Sequence, residues 1–343
     1  MRRLLNTLFV LSEDLYLSLE NGNLCAVREG KVLQRMPLIN LESIFCFSYR
    51  GASPALLGEC ADRNIGFCFL TPQGRFLART LGISKGNVLL RKEQYRQSDQ
   101  EETSLSIARG CIIGKLYNAR TVLMRAARDH PLSVDREAFA ENAGLLLDMA
   151  RSAEKAKDLD KLRGIEGNGA QIYFALFDQM ILSNKTDFFF HGRNKRPPLD
   201  RVNAMLSFLY TILAHDCASA LEAAGLDAYV GFLHRDRPGR ISLALDLMEE
   251  LRAPMADRMA LTLINNRIIT PAYFQTKENG AVWLDDKGRQ ILLGKWQERK
   301  RDIIQHPFLQ EKIPWGLLPY VQALLLARYL RGDLDEYPAF LWR

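Results

Sequence analysis

The sequence lacks the short motifs that mark several large classes of enzyme. Among its 343 residues there is no H-E-x-x-H string and no P-loop string, which argues against zinc peptidases and P-loop nucleotidases. Its six cysteines form no C-x-x-C pair and lie within apolar patterns. Structural zinc is therefore not expected, and the cysteines fit small buried side chains in a reducing compartment.

Features that direct a chain to a membrane are also missing. No apolar run reaches the ~18 residues of a membrane-spanning helix. The basic start Met1-Arg2-Arg3 leads into an alternating strand pattern rather than a signal sequence. We therefore expect a cytoplasmic protein. A content of 48% apolar and 25% charged residues excludes disorder, and the length predicts about two domains.

The charge balance permits a nucleic-acid partner without demanding one, because the net charge is +6 and the pI about 9.0. One predicted helix, Glu102 to Arg128, carries five cations and no acid after its first residue. A solvated face and a phosphate-facing face both remain open for it. Its cations are Arg109, Lys115, Arg120, Arg125 and Arg128, and a second basic cluster holds Lys295, Arg299, Lys300 and Arg301.

The hydrophobic period changes once along the chain. Residues 1 to 84 alternate as strands do, with turns at Asn21-Gly22, Glu29-Gly30 and 72 to 74 and one short helix capped by Ser53. From Gly86 onward the period is helical. The sequence predicts an α+β fold, in which a small, mostly antiparallel β domain (1–84) precedes a larger all-α domain (85–343).

The stretch from Tyr229 to Arg252 concentrates residues capable of chemistry. A short apolar run ends in His234, and the following helix places Asp246 and Glu249 on one face among leucines. Carboxylates beside packed protein need a positive partner. That partner is either a divalent cation held with His234, or arginines in ordinary ion pairs, which are the more frequent case. The nearby arginines are Arg237, Arg240 and Arg252.

A third acid, Glu166, lies in the glycine-rich start of another helix, KLRGIEGNGAQIYFALF. Its glycines would permit the close approach of a backbone or a ligand, although a first-turn glutamate is also favourable with the helix dipole alone. Two carboxylates and one imidazole without a thiolate suit Mg²⁺ or Mn²⁺ better than zinc.

Four strings together resemble a known family, the CRISPR-associated integrase that inserts new spacers, most closely its type I versions of the I-C kind. They are GIEGNGAQIYF (164 to 174), RPPLDRVNAMLSFLY (196 to 210), GFLHRDRPGRISLALDLMEELR (231 to 252) and PMADR (254 to 258). The resemblance covers essentially the whole chain, including the order of its two domains.

The resemblance implies one divalent-metal site formed by Glu166, His234 and Glu249, with Asp246 as an auxiliary acid. Since some members carry aspartate where this chain has Glu249, it stays open which of Asp246 and Glu249 is the closer ligand. The implied chemistry is attack on a DNA phosphodiester by a 3′-hydroxyl, which gives strand transfer, or by water, which gives cleavage.

The resemblance also implies partners: prespacer and CRISPR-repeat DNA, a second copy of the chain, and a small ferredoxin-like protein whose dimer is flanked by two such homodimers in a heterohexamer. We expect residues 1 to 84 to form the homodimer. Arg237 and Arg240 are candidates to hold the scissile phosphate, unless they pair with Asp246. Further candidates to track the DNA backbone are Arg120, Arg125, Lys295 and Arg299.

Two other classes of function remain as alternatives. One is a DNA-binding scaffold without activity, whose acids only pair with arginines. The other is a zinc hydrolase of small substrates, which would keep its zinc through purification and show no salt-sensitive DNA binding.

Overall fold

The structure, a computed structural model, describes residues 6–71, 76–80, 88–194 and 196–342. The predicted turn at 72 to 74 and the predicted domain link lie outside these residues. The chain divides into two compact units, Met1–Gly86 with Leu284–Asp302 and Asn87–Trp283 with Ile303–Arg343. A β-rich beginning followed by a larger helical part confirms the predicted fold class.

The first unit contains two sheets. Strands β2, β3 and β4 form an antiparallel sheet, while the other four pair in the order β1-β5-β6-β7. Two of the pairs in this second sheet, β1-β5 and β5-β6, are parallel, which the alternating pattern did not reveal. The strands are β1 (Asn6–Val10), β2 (Tyr16–Glu20), β3 (Asn23–Arg28), β4 (Lys31–Pro37), β5 (Leu41–Cys46), β6 (Gly66–Leu70) and β7 (Phe76–Thr80).

Local sequence explains the connections of this unit. Asn21 and Gly22 both have positive φ, 50° and 74°, as a two-residue hairpin turn between β2 and β3 requires. The crossover between the parallel strands β5 and β6 contains helix α1 (Pro54–Asp62). Ser53 caps this helix by accepting a hydrogen bond from the Leu56 amide, and Pro54 occupies its first position. Both turn and cap are as predicted.

The second unit is a packed set of helices. Its longest, α3, contacts α4, α5 and α7, and is buried along most of its length. Two short hairpins, β8-β9 and β10-β11, are exceptions to the predicted all-α character. The elements are α2 (Val88–Ser98), α3 (Glu101–Asp129), α4 (Arg136–Glu154), α5 (Leu159–Ala175), α6 (Arg201–Ala223), α7 (Ser242–Glu249), α8 (Arg258–Asn265), β8 (Phe274–Thr276), β9 (Val282–Leu284), β10 (Ile303–Gln305), β11 (Lys312–Pro314) and α10 (Leu318–Leu330).

Helix α6 is the only described helix long and apolar enough to cross a membrane. In the folded protein 72% of its apolar window is buried, which is the behaviour of a core helix. Its leucine stripe, predicted to be core, includes Leu206, Leu209 and Leu213, none of which is exposed to solvent.

The C-terminal tail packs along α3. Asn118 donates hydrogen bonds to the carbonyl oxygens of Glu250 and Phe340, and the Trp342 amide donates to the Asn118 side chain. Gly110 makes the approach possible, because a Cβ there would lie 3.0 Å from the Tyr337 ring. The predicted return of the aromatic tail to the core is therefore confirmed.

Helix α9 (Asp286–Arg301) belongs to the first compact unit, although the predicted division assigned these residues to the second domain. A buried ion pair contributes to the attachment: Lys300 Nζ lies 3.1 Å from Glu42 Oε1 and donates to the Thr7 hydroxyl at 3.2 Å. This long-range pairing is invisible to hydrophobic periodicity, which registers only the local helix.

Breaking this pair should destabilise the first unit. Lys300→Met leaves the Glu42 carboxylate, whose side chain is 12% exposed, without its cation, at a cost of about 3 kcal/mol in the free energy of unfolding. The double variant Lys300→Met/Glu42→Gln should recover most of that loss. Urea unfolding checks both, and equal destabilisation by the single and the double variant would contradict the ion-pair account.

Candidate functional site

The loop that carries His234 is organised by one carboxylate of α7. Asp246 accepts backbone hydrogen bonds from Phe232, Leu233 and His234 at 2.6 to 3.0 Å. His234 Nδ1 lies 2.5 Å from Asp246 Oδ1, so that Nδ1 donates to this carboxylate and Nε2 is directed to the other side of the ring. Arg163 of α5 donates to the Leu233 carbonyl oxygen at 2.8 Å and holds the loop from the other side.

His234 Nε2 faces the second acid of α7, at 3.9 Å from Glu249 Oε1. Glu166 of α5 lies next to Glu249, since both carboxylates contact one ammonium group. Lys115 of α3 pairs with Glu166, and Lys115 Nζ lies 2.8 Å from Glu249 Oε2. The structure thus brings together Glu166, His234 and Glu249, the three residues singled out from sequence, and adds Lys115 between the two carboxylates.

The backbone at Gly169 lets α5 come this close to α3. A Cβ at this position would overlap the Leu116 side chain, the neighbour of Lys115 in sequence, whereas Gly164 and Gly167 have open space around them. The predicted use of glycine for close approach therefore applies to one of the three glycines of the Glu166 segment.

The two acids of α7, Asp246 and Glu249, have different surroundings. Asp246 is committed to the loop amides and to the Nδ1 side of His234. Glu249 instead faces the imidazole Nε2, Lys115 and Arg252, whose guanidinium lies 2.8 Å from Glu249 Oε1. Asp246 therefore positions the histidine, whereas Glu249 faces the open side of the cluster.

The electrostatic environment keeps Glu249 ionised despite its burial. Burial by itself raises the pKa of this carboxyl, but the charges of Arg252, Lys115 and His234 outweigh burial and hold its pKa well below the usual range. Glu249 Oε2 nevertheless accepts no well-directed hydrogen bond, even though Lys115 Nζ lies close to it. A buried carboxylate oxygen without a directed donor has free coordinating capacity.

These donors fit a hard divalent cation. Two carboxylates and an imidazole with its Nε2 exposed to the cluster match the oxygen-rich preference of Mg²⁺ or Mn²⁺. Within the described parts of the chain, no three histidine, cysteine or acidic side chains are already arranged as a metal cage. The ammonium of Lys115 occupies the space between the carboxylates.

A cavity of about 480 Å³ opens beside this cluster. Cations and aromatic groups line it together with Glu166: Lys115, Arg193, Arg252, Tyr210 and Phe174. Both arginines lie near the Tyr210 ring, at 5.2 and 5.1 Å from its centroid. The site therefore has room and positive charge for an anionic group next to the carboxylates.

The long basic helix, for which a solvated face and a phosphate-facing face were both open from sequence, packs against other helices along most of its length. Helix α3 is a central packed helix, and several of its cations have partners within the protein. Arg109 donates to the Ala156 carbonyl oxygen, Arg125 lies 4.0 Å from the Trp342 ring centroid, and Arg128 pairs with Asp129. A run of one charge sign reads as a surface only when the helix is exposed, and sequence alone did not show that α3 is buried.

The remaining candidate DNA contacts divide into two groups. Lys295 of α9 pairs with Glu298 of the same helix, and Arg299 pairs with Asp302 directly after its end. Nε of Arg120 is buried without a hydrogen bond. Arg237 and Arg240 lie in the turn after His234, and within the described residues neither forms an ion pair. The alternative that they neutralise Asp246 does not hold, because Asp246 bonds to the loop amides and His234.

Comparison with known proteins decides the family. Residues 8–298 match the family described as "CRISPR associated protein Cas1". A curated relative, "CRISPR-associated endonuclease Cas1 1" of Chlorobaculum tepidum, is 47% identical over 343 residues and is matched over the full length of both chains. The chain belongs to the Cas1 family.

Solved structures agree with a Cas1 fold. A casposase bound to integration product superposes with a TM-score of 0.84 at 21% identity, over 98% of this chain and 93% of the casposase. A chain of a Cas6-RT-Cas1–Cas2 complex gives a TM-score of 0.79, also at 21% identity, over 98% of this Cas1 chain and 36% of that one. At this identity the likeness concerns the fold.

Sequence reasoning missed two members of the site in this Cas1 protein. Lys115 counted only as one cation of a basic helix, and Arg163 was not singled out although it holds the His234 loop. The signal for Lys115 was present in weak form, since a cation in the middle of a helix whose acids lie only at its ends must find its counter-charge elsewhere in the fold.

The tight packing of Gly231 against α7 gives a direct test of the loop. A Cβ there would lie 2.8 Å from Asp246 Oδ2 and 2.9 Å from the Ser242 backbone, so Gly231→Ala should cost about 2 kcal/mol in unfolding free energy. Gly164→Ala, which meets nothing within 4 Å, is the matched control and should be neutral or slightly stabilising. Thermal unfolding of both variants provides the measurement, and equal melting temperatures would contradict it.

Asp257, which lines the same cavity, should make stability depend on pH. Burial raises its pKa to about 6, although the Tyr210 hydroxyl, Arg252 and Arg193 oppose the shift. Because the folded state then binds the proton more tightly than the unfolded state, stability should fall as pH rises from about 4 to about 6. Asp257→Asn removes this loss, which is at most roughly 3 kcal/mol.

The measurement is the melting temperature of both proteins at pH 5 and pH 8, without divalent ions. At pH 8 the melting temperature of the asparagine variant should exceed that of the parent, and at pH 5 the two melting temperatures should be closer. Asp236→Asn, which changes an exposed carboxyl, serves as control. A difference between Asp257→Asn and its parent that is independent of pH would show that Asp257 is ionised throughout.

Proposed function

We propose that this Cas1 protein is a divalent-metal-dependent DNA endonuclease and integrase that inserts new spacers into a CRISPR array, a role in defence against invading DNA. The observation that carries the proposal is the convergence of Glu166, His234 and Glu249 beside a cation-lined cavity. The name of the 47% identical relative, an endonuclease, and the fold shared with a casposase bound to integration product support it.

In this proposal Glu166, His234 and Glu249 hold one Mg²⁺ or Mn²⁺. The bound ion supplies Lewis acidity for attack on a phosphodiester, by a DNA 3′-hydroxyl in strand transfer or by water in cleavage. The residues around it prepare the site. Asp246 fixes the His234 loop and directs Nε2 inward, and Arg252 keeps Glu249 ionised.

Arg237 and Arg240 are proposed to hold the scissile phosphate. They follow His234 directly in the loop and have no internal acid among the described residues, so that their charge is available to an anion. An arginine without an internal counter-ion is a better candidate for DNA contact than Lys295 or Arg299, which already pair with acids of α9.

The proposed partners follow from the family. One solved neighbour is a chain of a complex that contains Cas2, which supports a second, small CRISPR-associated protein as partner of this chain. We propose the heterohexamer of two homodimers around a partner dimer, with the homodimer formed through the β-rich first unit. The assignment to a type I system of the I-C kind belongs to the same proposal.

Removal of the imidazole tests the catalytic proposal. His234→Ala should lower Mn²⁺-dependent joining of a fluorescent 3′-hydroxyl oligonucleotide to repeat-containing plasmid by at least about 100-fold, because a metal ligand is lost. Glu166→Gln and Glu249→Gln should do the same. DNA affinity measured by fluorescence anisotropy should stay within about threefold of the parent, since the basic side chains remain.

Asp236→Asn, an exposed neighbour of His234, is the matched control and should retain activity. A 3′-dideoxy oligonucleotide separates the two reactions, because it abolishes joining and leaves hydrolysis. If His234→Ala joined DNA at the parent rate, the non-catalytic scaffold would become the better account of the site.

A further inference from the structure

Two carboxylates of the site share one ammonium group. Lys115 pairs with Glu166 and lies 2.8 Å from Glu249 Oε2. Over the described residues no second cation pairs with Glu166, whereas Glu249 also has Arg252 at 2.8 Å. Lys115 is therefore the group that compensates the charge between the two acids.

The compensating charge has its largest effect at Glu249, which little water reaches. The side chain of Glu249 is 3% exposed and that of Lys115 is 14% exposed, while the side chain of Glu166 is 30% exposed. Neighbouring carboxylates in such surroundings repel one another and favour proton uptake or separation unless a cation lies between them. An internal ammonium offsets this repulsion and holds both carboxylates close to the same point.

We infer that Lys115 is an internal counter-cation that competes with the divalent ion for Glu166 and Glu249. The inference rests on the proposed function, since it takes these two acids as ligands of that ion. The ammonium neutralises the pair with one positive charge, and an ion with two positive charges replaces it. Apparent metal affinity is accordingly the intrinsic affinity reduced by the cost of displacing Lys115.

The two cations of the site differ in their freedom to leave. Arg252 lies over the Tyr210 ring and pairs with Glu249 three residues earlier in sequence, which fixes its planar group. Lys115 has a flexible stem, and its ammonium makes no hydrogen bond to any other described residue. It lines the cavity of about 480 Å³, into which the ammonium can move without being buried in apolar surroundings.

The displaced ammonium would remain next to the reacting groups. Arg193 and Arg252 line the same cavity, so an anion bound there meets three cations once Lys115 has turned away from the carboxylates. One side chain then serves two states of the site: it holds the acids before the ion binds, and faces the cavity afterwards.

The test is the Mn²⁺ affinity of Lys115→Met, measured by isothermal titration calorimetry on the full-length protein after treatment with a chelator. Without the competing ammonium, Mn²⁺ should bind at least about tenfold more tightly than to the parent. The metal-free variant should melt at a lower temperature than the parent, and saturating Mn²⁺ should raise its melting temperature by more.

Lys161→Met removes the same charge from an exposed position on α5, the helix of Glu166, and should leave Mn²⁺ affinity within about twofold. Lys115→Gln provides a second substitution should the methionine variant fold poorly. If the parent binds Mn²⁺ and neither Lys115 variant binds it more tightly, the counter-cation inference is overturned while the proposed metal site stands. If no protein binds Mn²⁺, the proposed function and the inference fail together.

Discussion

Helix α7 imposes the main constraint on the second unit, because three carboxylates are buried within five residues at its C-terminal end. Asp246, Glu249 and Glu250 have 1%, 3% and 0% of their surface exposed. A buried charge is tolerated only when hydrogen bonds or counter-charges replace water. Each acid meets this demand with a different part of the chain, and together these three solutions assemble the site.

Asp246 takes its hydrogen bonds from the loop before the helix, and so fixes His234. Glu250 takes them from the end of the chain: the Phe340 amide, the Gln322 side chain and the Tyr337 hydroxyl. Burial raises the pKa of Glu250 to about 7, so a substantial fraction of this carboxyl is protonated near pH 7, and hydrogen bonds rather than a cation stabilise it. Glu249 is the acid of the three that is stabilised by cations, Lys115 and Arg252. The charged groups of the site therefore lie around Glu249.

Sequence reasoning reached much of this because the relevant signals are local. The hairpin turn at Asn21-Gly22, the Ser53 cap and the acidic face of α7 each depend on a few neighbouring residues, which is the range over which propensity and periodicity act. The convergence of Glu166, His234 and Glu249 is a long-range property. It was anticipated through the resemblance to a family, since spacing alone left metal binding and simple ion pairs both open.

The partner of each buried charged side chain could not be predicted from the sequence. Lys300 could not be paired with Glu42 by any local rule, nor could Arg125 be matched with Trp342, because these partners come from distant segments. The basic run of α3 was therefore open to several interpretations, because its local pattern does not show which cations find partners inside the fold. Lys115 follows from the same reasoning. The acids of α3 lie only at its two ends, so a cation in the middle of this packed helix has to find negative charge on other helices. Helix α7, which contacts α3, buries Asp246 and Glu249. Metal chemistry and charge compensation thus depend on the same carboxylates, and a lysine between them is the direct physical consequence.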